Sequence, residues 1–448
     1  MNPKILLSLL ISAAFTIQAN AQSTTTLSQA IHDAWGNRKN IQAGRLNNDI
    51  QALQTAALHK KYYPEVSLDY SYQYNPILQS SILPIGKFNP ELPPNATERV
   101  QFGTTWSQAA GATVLQPLMD FSIKRQIAES HLQEKISGAT QAQAEYELAY
   151  QVTKAYINIA VQQQQIRSAA LDSARTWSSF RFQQDIFEAG RLLKSDLNKA
   201  IINHNNEKQK VADALAQVVK NKVYLLFLTG KTFSDGNNIA IDSNFFKQGM
   251  ALWLEKPSAR DSIPAIEQLR LQQALALLQQ QSEKSKYLPT LHLKGFIGAN
   301  QFTNNFNPVE ADTWFGYSYL ALVAKWPILT GDDKKKKTQQ LQLQSTQYEL
   351  QRADRTEQSE QESMTAKLEM ERLQHQLRTL SENLSLARES VRITQDRALA
   401  GQETPAALNT EELELQRIAS DFANIQQQMW LFWLEYLYGS GLLQQLWQ

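Results

Sequence analysis

Cysteine is absent from the 448-residue sequence. Disulfides and thiolate metal sites are thereby excluded, and so is a lipid carried on an N-terminal cysteine. Glycine and proline are sparse, at 17 and 14 residues, which suits long wet helices and argues against an α/β enzyme. Charge of one sign is lacking too: 44 Lys and Arg stand against 43 Asp and Glu. No bulk attraction to nucleic acid follows from that balance, and no nucleic-acid partner is expected. Beyond the N-terminus no stretch reaches ~18 uncharged apolar residues, so a membrane-spanning helix is not expected. The nearest approach, Met429 to Tyr438, is short and contains Glu435, and reads as a packed helix end.

Chemistry-bearing motifs are missing as well. The six histidines are scattered, without an i, i+4 pair or a ligand cluster. Gly230-Lys231-Thr232 ends like a phosphate-binding loop, but the glycine required five residues earlier is Leu225. No spacing of Ser, His and Asp suggests a triad. Neither an enzyme nor a cofactor is expected.

What is present is extended and periodic. Lys4, the apolar run Ile5–Ile17 and Ala19-Asn20-Ala21 read as a secretory signal over residues 1–21. Residues 27–62 have a helical pattern, stopped by Pro64. In 65–74 the period changes to two: Val66, Leu68, Tyr70, Tyr72 and Tyr74 alternate with Glu65, Ser67, Asp69, Ser71 and Gln73. That is either a strand between lipid and water or an amphipathic strand of a soluble sheet. The proline-rich 75–98 is expected to be a loop, and 102–118 a second strand. A long helix then runs from Phe121 to Glu188, about 100 Å of rise. Its expected heptad seam passes through Ala149, Val152, Tyr156, Ile159, Ile166, Ala170, Trp177, Phe180 and Phe187, with Gln163, Ser173 and Gln184 filling the missing steps. Ala189-Gly190 breaks it, and a helix returns to Leu228 to complete a hairpin over 121–228.

The plan then recurs. Tyr287-Leu288-Pro289 restates Tyr62-Tyr63-Pro64, Trp326-Pro327 echoes Gln116-Pro117, and Leu399-Ala400-Gly401 breaks a second long helix as Glu188-Ala189-Gly190 broke the first. A first repeat is assigned to 22–230 and a second to 257–448, around an irregular equatorial linker at 231–256. The second repeat is expected to hold a helix at 258–287, strands at 290–299 and 314–326, and a hairpin at 332–438. Four strands do not close a barrel, and open edges cannot sit in lipid. Three chains pooling twelve strands would close one with a wet interior.

In this order and duplication the sequence resembles the TolC-type outer membrane efflux family over essentially the whole chain after its leader. The resemblance implies a mainly α fold with membrane β: a homotrimer whose 12-stranded β-barrel continues as an α-helical periplasmic tunnel. It implies an outer membrane exit duct of a tripartite efflux pump, conducting passively. The implied partners are a periplasmic adaptor protein, an inner-membrane efflux transporter and outer membrane lipid. A channel for type I protein secretion is the alternative within the family; a secreted coiled-coil scaffold without a channel is the alternative from another class.

The resemblance also assigns roles. Ala189, Gly190, Arg191 and Leu192, with Ala400, Gly401 and Gln402, would be the tips that dock the adaptor. Asp196, six residues after the first tip glycine, would line the periplasmic gate; Ala407 holds the matching second position, so Glu411 or Glu412 would substitute. The other reading of Asp196 is a solvated first-turn acid favoured by the helix dipole. Lys334 to Lys337 are either a solvated helix start, a membrane-facing rim or part of the tunnel lining. Tyr62, Tyr63, Trp106, Trp314, Tyr317 and Trp326 form either interfacial girdles or packing at the joint.

Overall fold

The computed structural model describes residues 24–88, 91, 93–232, 240–241, 263–307, 314–328 and 332–447. The expected leader 1–21 and most of the linker 231–256 lie outside them. The chain forms two compact units: residues 48–136 with 271–349, and residues 1–47, 137–270 and 350–448.

In the sheet-bearing unit, β1 (Glu65–Tyr74), β4 (Trp106–Met119), β5 (Thr290–Thr303) and β6 (Trp314–Lys325) form one antiparallel sheet in the order β1-β4-β5-β6. Between β1 and β4 the chain forms a hairpin of β2 (Gln79–Leu83) and β3 (Glu98–Phe102). This corrects the expectation of a plain loop at 75–98. Each hairpin strand fits in a proline-free window, after Pro76 and before Pro84 or beyond Pro94, so the missing N–H groups fall outside the ladder. Gly103, at φ 99°, turns the chain between β3 and β4 and moves the expected start of that strand from 102 to 106.

Register assigns each side chain to a face. Val66, Leu68, Tyr70 and Tyr74 lie on the same side as Ala110, Ala112, Val114, Leu293, Ile297, Leu320 and Leu322. No charged residue of the four strands falls there. Glu65, Asp69, Lys294 and Lys325 all fall on the opposite face. Gln108 and Gln301, two of the three glutamines on the apolar face, are buried and hydrogen-bonded to each other. Tyr70 Oη also donates to Gln108 Oε1 at 2.8 Å. Pairing of this kind lowers the cost of holding two amides on a face turned to hydrocarbon.

The helical unit contains α1 (Leu27–Asn37), the start of α2 (Lys39–His59), most of α3 (Phe121–Glu188), α4 (Lys194–Thr229), the start of α5 (Pro264–Ser285), most of α6 (Asp333–Leu399) and α7 (Pro405–Ser440). Thr26 caps α1 with a reciprocal capping box through Gln29. The expected single helix 27–62 is divided at Arg38, whose extended backbone (ψ 124°) ends α1 just after Gly36-Asn37. No described helix is long and apolar enough to cross a membrane.

The main core surrounds Tyr156 and Trp433, both fully buried among Ile31, Val152, Ile159, Leu225 and Leu437. Three polar contacts fix it. Tyr146 Oη donates to Tyr438 O (2.7 Å), Tyr438 Oη to Glu147 (2.9 Å), and Trp35 Nε1 to Glu145 O (3.0 Å). Around this core α3 is buried on nearly every side, from Ala149 through Val161. A smaller core of Leu384, Val391, Leu408, Leu415 and Ile418 joins α6 to α7.

Candidate functional site

Each helical hairpin turns at a glycine in the left-handed region, Gly190 at φ 72° and Gly401 at φ 71°. The hydrogen bonds around them match. Gly190 N donates to Phe187 O (2.9 Å) and Arg191 N to Ile186 O (3.0 Å); Gly401 N donates to Ala398 O (3.1 Å) and Gln402 N to Arg397 O (2.9 Å). These bonds satisfy the last carbonyls of α3 and α6 in the manner of a Schellman cap. A Cβ at either glycine would meet nothing within 4 Å, so backbone conformation rather than crowding selects glycine. Ala189, Gly190, Arg191, Ala400, Gly401 and Gln402 are exposed and Leu192 is half-buried.

The return helices begin differently. Thr404 caps α7 by accepting from Ala407 N (3.2 Å), with Pro405 in the first turn, whereas Leu193 gives α4 no side-chain cap. Glu403 turns back to Arg397 at 3.5 Å.

Asp196 lies in the first turn of α4 and pairs with Lys199 at 3.1 Å. Glu411 is half-buried on α7. The acid that enters the protein here is its neighbour: Glu412 is 2% exposed and lies 3.0 Å from Arg175 of α3, which also approaches Asp172 at 3.5 Å. Nearer the tip, Gln183 and Asn409 exchange two hydrogen bonds. Gln183 Nε2 donates to Asn409 Oδ1 (2.9 Å), and Asn409 Nδ2 donates back to Gln183 Oε1 (3.1 Å). Burial pushes the Glu412 carboxyl above the ordinary glutamate range, with Arg175 pulling it partway back.

This polar seam was not read from the sequence. The expected seam of α3 toward its tip ran through Ser173, Trp177, Phe180 and Gln184. The structure buries Thr176, Ser179 and Gln183 and leaves Trp177 48% exposed. The reason is that α3 has two neighbours. Trp177 and Phe180 pack together (5.4 Å) and Trp177 packs on His204 of α4 (5.2 Å), while the 175-179-183 stripe faces α7. A single-heptad template follows the apolar stripe only. The signal for the other was small and amide side chains recurring every four residues.

The aromatics bounding the sheet divide by end and by face. Tyr72, Tyr74 and Trp106 cluster with Phe306 at centroid separations of 4.4–5.6 Å. Tyr62, Tyr63 and Trp326 are exposed at the strand-to-helix end. Tyr317, read as either girdle or joint packing, packs in a tilted arrangement against Phe296 (4.9 Å) on the charged face of the sheet. Among the described residues no group of three His, Asp or Glu is placed to hold a metal.

Residues 30–231 match the family model described as outer membrane efflux protein. No curated protein matches the chain in sequence. The fold is shared with solved structures: the outer-membrane channel OprN (TM-score 0.72, 12% identity, covering 93% of this chain and 89% of that one) and VceC of Vibrio cholerae (0.72, 12%, 93% and 96%). The outer membrane channel CmeC of Campylobacter jejuni is similar too (0.69, 12%, 93% and 85%).

Proposed function

We propose that this chain, whose residues 30–231 match the outer membrane efflux protein model and whose fold is that of solved outer membrane channels, is the exit duct of a tripartite efflux pump. The observation that carries the reading is the sheet: one face without charge, and two unpaired edges. β1 and β6 are those edges, and because every neighbouring pair is antiparallel they run in opposite directions. The β6 edge of one copy therefore meets the β1 edge of the next in an antiparallel ladder. Lipid offers such an edge no hydrogen bond, so the sheet closes only by pooling copies. Three copies give twelve strands, an interior wide enough for water.

In this reading the charged face lines the pore and the helices carry the conduit through the periplasm. The two tips present exposed, unobstructed backbone at Gly190 and Gly401 to a hairpin of a periplasmic adaptor. An inner-membrane transporter supplies the energy, and the duct itself conducts passively. Asp196, in the first turn of α4, and Glu411, in the second turn of α7, would line the entrance that the tips close. Reconstitution tests this: the detergent-extracted protein runs as a trimer and gives stepwise conductance in a planar bilayer. A monomer that leaves the membrane with salt and conducts nothing contradicts it.

A further inference from the structure

We propose that the lysines at the strand-to-helix joints form a binding surface for anionic phospholipid headgroups of the periplasmic leaflet. This rests on the exit-duct reading, which puts the apolar face of the sheet in lipid.

Antiparallel order places all four joints at one end of the sheet: β1 and β5 begin there, at Glu65 and Thr290, and β4 and β6 end there, at Met119 and Lys325. Residues 60–65, 119–125, 283–290, 325–328 and 332–337 carry eleven Lys or Arg against five Asp or Glu. The whole chain has a formal charge of only +1. At the other end, residues 74–78, 103–106, 303–307 and 314 carry no charge at all. The excess therefore belongs to one rim of the sheet.

The rim is also organised. Lys334 Nζ donates to Lys286 O (3.3 Å) and sits 4.8 Å from the Tyr287 ring centroid, which ties the β5 and β6 joints together. Lys60, Lys335 and Lys336 are exposed, and their side chains have no partner among the described residues. Lys334 to Lys337 follow one another on α6 at about 100° per residue, so together they sweep about 300° of the helix. No rotation of that helix turns all four away from lipid.

Tyr62, Tyr63, Leu288, Trp326 and Ile328 stand exposed beside these lysines. Amphipathic rings next to flexible cations at the end of an apolar face are the composition of a membrane interface. Unpaired ammonium groups at that depth meet phosphate, and a leaflet containing acidic lipid concentrates phosphate where the lysines are. Continuity with the chargeless sheet face favours a lipid phosphate over a dissolved one.

Lipid retention by the purified trimer tests this, read by native mass spectrometry with phosphatidylglycerol or phosphatidylcholine in the detergent micelle. Phosphatidylglycerol is expected to be retained preferentially. The variant Lys60→Gln, Lys335→Gln, Lys336→Gln is expected to lose that preference by about fivefold per lysine that reaches the lipid. These side chains make no hydrogen bond or ion pair among the described residues, so the variant is expected to keep its trimer. Equal retention of the two lipids, an unchanged preference in the variant, or full displacement by inorganic phosphate overturns the inference. So does a stronger preference for lipopolysaccharide, which belongs to the other leaflet. Failure of the duct reading is separate: it shows as loss of the trimer and of conductance in the same preparation.

Discussion

At the scale of single residues, a buried ion pair separates the behaviour of this helical unit from that of an apolar coiled coil. Glu412 is raised above the ordinary glutamate range because burial penalises its charge more than Arg175 relieves it. The folded chain therefore holds that proton more tightly than the unfolded chain. Its contribution to stability is full below the ordinary glutamate pKa and is lost as pH rises through the raised value. Across that window the thermal midpoint of the wild type is expected to fall relative to Glu412→Gln; parallel curves would contradict the assignment. Arg175→Met leaves a buried carboxylate without its counter-charge and is expected to cost about 1–3 kcal/mol at neutral pH. That cost shrinks on acidification, when Glu412 takes up its proton. The double variant Arg175→Met, Glu412→Gln removes both charges and is expected to recover most of the loss.

At the scale of elements, the tips and the sheet make separate predictions. Asparagine tolerates the left-handed region far better than other side chains. Gly190→Asn with Gly401→Asn thus keeps the caps while placing a side chain where the adaptor backbone would approach. Adaptor crosslinking and efflux are expected to fall at least tenfold with little change in thermal midpoint; unchanged crosslinking would remove the docking role. In the sheet, Leu68 and Leu320 are 86% and 75% exposed, so they have little protein packing to lose. Leu68→Arg is nevertheless expected to cost about 2–4 kcal/mol if it lies near the middle of a bilayer. Ser71→Arg, on the opposite face, is expected to leave trimer yield unaltered. Equal tolerance of both would favour a soluble sheet. Alternation in 65–74 made this strand readable, because a period of two leaves one register that hides the charges. The β2–β3 hairpin was hidden by its prolines, since composition marks a turn without showing which N–H groups stay free. The tip glycines were legible because helix breaks recur at matched places. The stripe through Arg175, Ser179 and Gln183 was not, because a polar residue on a helix reads as wet until its partner is known.

At the scale of the molecule, the chain makes two passes of helix, strand, strand, long helix and helix. We read them as repeats over 22–230 and 257–448. Each pass contributes two strands to the four-stranded sheet and one helical hairpin. Charge is uneven along this plan: the whole is nearly neutral, while the rim where strands become helices carries a local excess of basic over acidic residues. The proposed duct requires several copies to pool their strands around a water-filled conduit. Negative-stain imaging of the detergent-extracted protein tests it most directly. Three-fold particles with a stain-filled axis and a helical tunnel about 100 Å long are expected, as helices of this length require. Solid rods or compact globules without three-fold symmetry would contradict it.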